Sequence, residues 1–338
     1  LSKANNRALA LAIFAMLFAR AASARAAEHC AMTDGFIDNS VFQAANNGGD
    51  DDKGIGGTGV SHDGSKISAT HAVFILGTVY DFGSICVNGM RVQYDSKTPV
   101  EIDGTKASAE KLKIGQVVEV LAEADTAART LHAKSVHIEN ALTGPVTRID
   151  TANHMAYVMD EPVSVGSTDI LSRLREGDRI SVSGLRDNDG TVHATYIGRA
   201  AYDHDMVYGT ASAATNTFKV GHTRIAATAG LLELEPGEVT TIEGMWKNGM
   251  LQPTKAGEDE AEDEDYQYAS YEGYISPLRA DPKSAKICSE DFDISGLDHN
   301  SLKTGERVIV NAVKIKDGKM KAISIRPSAP PQLQRKTK

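Results

Sequence analysis

From about residue 73 to residue 326 the apolar positions fall in short alternating or continuous runs broken by Gly, Asn and Asp, which predicts strands. Phe74-Ile75-Leu76 and Thr78-Val79-Tyr80 flank Gly77 in one strand. Ser84–Val87 and Met90–Tyr94 are joined by Asn88-Gly89, the strongest short-range signal for a tight hairpin with positive φ. Val100–Ile102 precedes a turn at Asp103-Gly104, and Ser108–Leu112 reads as one helical turn with Ser108 as its N-cap. Val117–Leu121 and Leu131–Ile138 complete the set.

This order recurs. Four times a leucine is followed three residues later by glycine and then by a strand: Leu112–Gly115 (LKIGQVVEV), Leu174–Gly177 (LREGDRISV), Leu234–Gly237 (LEPGEVTTI) and Leu302–Gly305 (LKTGERVIV). The glycines stand 62, 60 and 68 residues apart, and an earlier glycine keeps step with them at Gly77, Gly144, Gly209 and Gly273. Repetition at this period predicts tandem small domains. The expected layout is an N-terminal stretch 1–27, a Gly/Asn/Asp-rich flexible leader 28–72, and repeats at 73–139, 140–202 and 203–256. An acidic linker at 257–267, a fourth repeat at 268–326 and a basic, proline-rich disordered tail at 327–338 complete it. Each leucine is expected to be buried as a plug and each glycine to take a positive φ that lets the chain re-enter the sheet. Five or six short strands with one helical turn per repeat fit an all-β chain of four tandem OB-like Greek-key barrels, each closed on itself.

The first unit, with GTVYDFGSICVNGMRVQY and KASAEKLKIGQVVEV, and the leader's GIGGTG resemble a bacterial family of exported proteins known as domain of unknown function 5666. The likeness is strongest over residues 54–139, weaker in the second unit and faint in the third and fourth, where Pro253-Thr254 replaces a closing A-x-x-I in the third. The resemblance implies tandem small β-barrels and export, and it brings no catalytic residues.

Residues 1–27 read as an export signal on their own terms. Lys3 and Arg7 precede a twelve-residue apolar stretch, Ala8–Ala19, followed by small residues suited to cleavage. That stretch falls short of the ~20 apolar residues needed to span hydrocarbon. Its removal takes the net charge from −9 to −13, a field that repels nucleic acid and anionic lipid. The expected location is therefore periplasmic or secreted, with no transmembrane segment after processing.

Candidate chemistry is sparse. Gly54–Gly59 (GIGGTG) resembles a phosphate loop, but no strand precedes it and no Lys-Ser/Thr follows. Three cysteines leave several arrangements open. Cys30–Cys86 would staple the leader to the first unit, Cys86–Cys288 would join the terminal units, and three free thiols are the plain alternative. Aligning Ile85-Cys86 with Ile287-Cys288 puts Cys86 and Cys288 at equivalent positions. None of the ten histidines forms a ligand cluster, and Asp203-His204-Asp205 fits a polar linker better than a metal site. The acidic run Glu258–Asp265 lacks the turn and spacing of a tight calcium loop. Tyr266, Tyr268, Tyr271 and Tyr274 form the best aromatic candidate for ligand contact, against the alternative that Tyr271 and Tyr274 pack inward. No nucleophile motif is present, and no cofactor or metal is expected.

The reading this supports is an exported, non-enzymatic binding or scaffolding protein with an envelope glycan or protein as ligand and no nucleic acid. The alternative is an enzyme with its site between adjacent barrels.

Overall fold

The computed structural model describes residue 30 and residues 70–125, 128, 130–214, 217–227, 235–258, 266–277, 283–298, 302–315 and 318–331. Residues 1–27, read from the sequence as an export signal, GIGGTG, most of the acidic run, Leu234 and residues 332–338 lie outside them.

The described chain is all-β apart from two short helical turns. The first unit holds β1 (Thr70–Asp81), β2 (Ile85–Val87), β3 (Met90–Gln93), β4 (Val100–Ile102), β5 (Thr105–Ala107), β6 (Val117–Asp125) and β7 (Thr130–Glu139). Its pairing runs β1–β2–β3–β7–β6 and back to β1, antiparallel except for the parallel β3–β7 step, with the β4–β5 hairpin added along β7. The second unit repeats the circuit with β8 (Leu142–Asp150), β9 (Met155–Val158), β10 (Glu161–Ser164), the turn α1 (Thr168–Leu171), β11 (Arg179–Arg186) and β12 (Val192–Arg199). The third uses β13 (Asp205–Ala214), β14 (Thr217–Val220), β15 (Thr223–Ile225), β16 (Val239–Lys247) and β17 (Met250–Glu258). The last uses β18 (Tyr268–Tyr274), β19 (Ser284–Ile287), β20 (Glu290–Asp293), β21 (Arg307–Lys314) and β22 (Met320–Pro327), closed by the bridge Ile275–Ile287.

The Leu-x-x-Gly signature has one structural cause throughout. Gly115, Gly177, Gly237 and Gly305 have φ of +91°, +89°, +99° and +78°. Each donates its N–H to a first-strand carbonyl, at Val79, Val146, Ala211 and Ile275, over 2.8–2.9 Å. The N–H of that same first-strand residue donates back to the carbonyl after the glycine, at Gln116, Asp178, Glu238 and Glu306. The residue after the glycine also closes the turn: Gln116, Asp178 and Glu238 accept through their side chains the N–H groups of Lys113, Arg175 and Glu235. The plug is less uniform. Leu112 is buried, whereas Leu174 and Leu302 are half-buried against their cores, and the fully buried side chain of α1 is Leu171. Ser108 makes no side-chain cap; its carbonyl accepts the Lys111 N–H instead.

The earlier glycines make room for a hairpin. The β-turn after the second strand begins with a left-handed residue in every unit, and in three of them, at Asn88, Met159 and Cys288 with φ near +50°, that residue carries a side chain. Its side chain folds onto Gly77, Gly144 or Gly273, where a Cβ would lie 2.0–2.7 Å from Asn88 Oδ1, Met159 Sδ or Cys288 Sγ. This placement corrects the expected equivalence of the two cysteines. Cys288 occupies the position of Asn88, and Lys286 occupies that of Cys86.

A third shared feature is a bulge in each closing strand. Lys134, Thr195, Thr254 and Ile323 are the extra residues opposite β6, β11, β16 and β21.

Each circuit closes on its own first strand, but the units are also joined to one another. β8 pairs antiparallel with β13, so the second and third units share one 10-stranded sheet and one contiguous core. β1 pairs parallel with β18 through Val73–Tyr268, Phe74–Ala269, Ile75–Ser270 and Leu76–Tyr271, joining the first and last units in a 12-stranded sheet. They are joined edge to edge, and their strands are not interleaved.

Candidate functional site

The β1–β18 seam brings most of the unusual chemistry together. Strands joined along an edge can exchange side chains between the two cores. Tyr268 packs into the first unit's core, while Phe74 of β1 packs into the last unit's core. Phe74 stacks on Tyr266 at 5.1 Å and lies 5.3 Å from Tyr271, and the two tyrosine hydroxyls are 3.0 Å apart. Tyr266, Tyr268 and Tyr271 are consequently buried, at 8%, 3% and 5% exposure. The expectation of an exposed aromatic face is overturned by that burial. Tyr274 is half-buried, with its ring 5.1 Å from His193 of the second unit.

One residue further along the seam, Glu272 is fully buried. It accepts the Thr78 N–H at 2.9 Å, Arg307 Nε at 3.1 Å and Ser328 Oγ at 2.5 Å. Arg307 Nη2 donates to Thr78 Oγ1 at 2.9 Å. The Tyr80 hydroxyl stands 3.1 Å from Glu272 and donates to the Ala329 carbonyl at 2.5 Å. Burial and the adjacent Glu272 push the Tyr80 pKa well above the usual phenol value. Burial is the largest single influence on Arg307 and works against its charge, but Glu272, Tyr80 and Tyr274 together more than offset it and push the guanidinium pKa up. Asn88 Nδ2 ties the Leu76 carbonyl to Ser270, and Arg326 donates to the Asn88 carbonyl at 2.7 Å. A buried carboxylate held by Thr78, Tyr80, Arg307 and Ser328 acts as an anchor between units. The residues after β22 therefore pack against β1 at this point.

A second buried pair joins the second and third units. Glu161, fully buried, accepts Arg186 Nη1 at 2.6 Å and the N–H groups of His222 and Thr223 at 2.5 and 2.7 Å. Asp205 accepts Arg179 Nη1 and the Trp246 N–H. Asp203-His204-Asp205 is thus divided between an inward anchor and outward neighbours. Among the described residues no group of three or more His, Cys, Asp or Glu is placed to hold a metal ion.

Asp103 pins the first unit to the start of the second. Its carboxylate accepts Asn140 N–H and Nδ2 at 2.9 and 2.8 Å. Burial pushes its pKa up to about 6, reinforced by Glu243 and opposed by the two Asn140 donors. A raised carboxyl pKa in the folded state contributes stability below the unfolded value, and that contribution is lost as pH rises through about 6. A carbon-detected NMR titration should find the Asp103 midpoint near 6, and Asp103→Asn should flatten the stability profile between the unfolded carboxyl value and that midpoint.

Cys30 and Cys86 are buried and joined by a disulfide, with Cα atoms 6.1 Å apart. Cys288 is a free thiol whose pKa is pushed up to about 12 by burial and by Glu272, so it stays protonated and unreactive. Alkylation of the denatured, unreduced protein should therefore label Cys288 alone, and mass spectrometry should recover Cys30 and Cys86 in one linked peptide pair. Three labelled thiols would contradict the pairing.

Sequence reasoning missed Glu272, Arg307, Glu161 and Arg186. A lone charge inside an otherwise apolar or small-residue strand, as in YASYEGY, was the available signal.

Residues 77–137 and 143–198 each match the family model described as Domain of unknown function (DUF5666). A comparison with curated proteins finds no match. Among the described residues no helix is long and apolar enough to cross a membrane.

Proposed function

We propose that the two DUF5666 segments are the first half of an array of four OB-like barrels, and that the chain is an exported, non-enzymatic binding or scaffolding protein of the bacterial envelope. The observation that carries this is the two-way hydrogen-bonded bridge repeated at Val79–Gly115, Val146–Gly177, Ala211–Gly237 and Ile275–Gly305. Four copies of one module, with buried ion pairs spent on holding copies together, suit a rigid block whose outer loops meet a partner. Export is supported by the signal-like residues 1–27 and by the Cys30–Cys86 disulfide, since such bonds persist in oxidising compartments. The test is expression of the full chain in a bacterium, followed by cell fractionation and crosslinking of intact cells. The reading expects a processed chain outside the cytoplasm that forms discrete crosslinked adducts with an envelope component. A chain retained in the cytoplasm, or one that forms no adduct, would refute it.

One observation favours the enzyme alternative. His193 Nε2 lies 2.7 Å from Asp187 Oδ2 beside Tyr274, where the second and last units meet. Such a pair can hold an imidazole in one tautomer for proton transfer. Hydrolytic activity abolished by His193→Gln would favour that reading over scaffolding.

A further inference from the structure

In two of the units the bulge in the closing strand docks against the first unit. In the second unit Gly115 of the first unit packs so closely on the Thr195 carbonyl that a Cβ there would be 2.2 Å away. In the last unit Ile323 packs against the first unit's core. In the third, Thr254 folds back onto the Glu243 carbonyl. The first unit's own bulge, at Lys134, is exposed.

Around Lys134 the other edge of β7 also changes partner. β3 pairs with β7 only as far as His132, and β4 takes over at Val136. Ala133, Lys134 and Ser135 are therefore left without a strand partner on that edge among the described residues. The loop that connects β3 to β4 lines the gap and is fixed by Asp95, whose carboxylate accepts the N–H groups of Lys97 and Thr98 at 2.7 and 3.1 Å. The result is a groove of about 520 Å³ lined by Tyr94, Lys97, His132 and Lys134. Lys97 and Lys134 are exposed, and neither forms an ion pair with a described residue. Asp95 also lines the groove, with Oδ1 engaged by the Lys97 and Thr98 N–H groups, so the two lysines leave an aromatic-edged groove with a net positive lining on a chain whose net charge is −9.

We propose that this groove binds an extended acidic peptide segment of a partner protein, a specification that rests on the binding reading above. The interrupted edge at Ala133–Ser135 offers backbone groups to an extended chain, which favours a peptide. Lys97 and Lys134 flank that edge and would meet carboxylates on the bound segment, while Tyr94 and the loop wall the groove on one side.

The probe is a fluorescein-labelled peptide alternating glutamate and valine, titrated by anisotropy into the full mature chain. A polyuronate oligosaccharide serves as competitor. The paired variant Lys97→Glu, Lys134→Glu is compared with Lys106→Glu, Lys111→Glu, a charge-matched pair on exposed positions of the same unit, with circular dichroism confirming that both fold. The expected result is saturable, salt-sensitive binding that the groove variant weakens roughly tenfold while the control variant leaves it within experimental scatter. Equal weakening by both variants, no peptide binding, or tighter binding of the polyuronate would overturn the proposal. Envelope adducts that persist in the groove variant would overturn this site alone and leave the wider binding reading standing.

Discussion

Arg307→Met is expected to cost about 3–5 kcal/mol, the usual penalty for leaving a buried charge without its partner. Glu272 has no exposure, and the Arg307 side chain is 4% exposed, so solvent cannot take over the neutralising role. Methionine restores most of the volume and removes all three donor contacts to Glu272 and Thr78. Adding Glu272→Gln should recover much of the loss, because its amide oxygen can still accept the Thr78 N–H and no buried charge remains. Chemical denaturation of the parent chain and the two variants checks both statements. A loss below about 1 kcal/mol for Arg307→Met would be the size expected of an exposed pair and would mean that the seam opens to water in solution.

Gly115→Ala is expected to be the most damaging change in the repeated turn, and Gly177→Ala supplies its own control. Both glycines have φ near +90°, so alanine at either carries the left-handed strain of about 1–2 kcal/mol. At Gly177 the added methyl meets nothing within 4 Å. At Gly115 it would lie 2.2 Å from the Thr195 carbonyl oxygen and 3.0 Å from its carbon, and both belong to the backbone of a bulged strand. Backbone cannot swing aside as a side chain can, so overpacking should add about 1–3 kcal/mol. Equal destabilisation by the two substitutions would show that the first unit does not rest on the second at this point.

Much of the fold could be read from the residues because its determinants are local. A glycine after Leu-x-x marks a turn that needs positive φ, and Asn88-Gly89 fixes a hairpin whatever surrounds it. The seams between units were not legible, since a pairing such as β1 with β18 depends on two surfaces far apart in sequence. The tyrosine run shows the consequence. Alternation along a strand with one covered face would leave half of YASYEGY outside, but Tyr268 packs into the first unit's core and Ala269 and Tyr271 into the last unit's, so both faces of β18 are covered and all its positions except Tyr274 are buried. The cysteine misalignment had a different origin. Both segments contain Ile-Cys, and a slip of two residues preserves the inward and outward alternation, so periodicity could not reject it. The groove at Lys134 was also out of reach, because a bulge leaves no mark that distinguishes it from ordinary strand sequence.

Gly115, Gly177, Gly237 and Gly305 each donate an amide proton to the first strand of their own unit, so these four protons report directly on the repeated module. Native-state hydrogen exchange followed by NMR should find all four strongly protected, with those of the third and last units retained as firmly as those in the two DUF5666 segments. Exchange of Gly237 or Gly305 at the rate of an open loop, while Gly115 and Gly177 stay protected, would contradict a module copied four times.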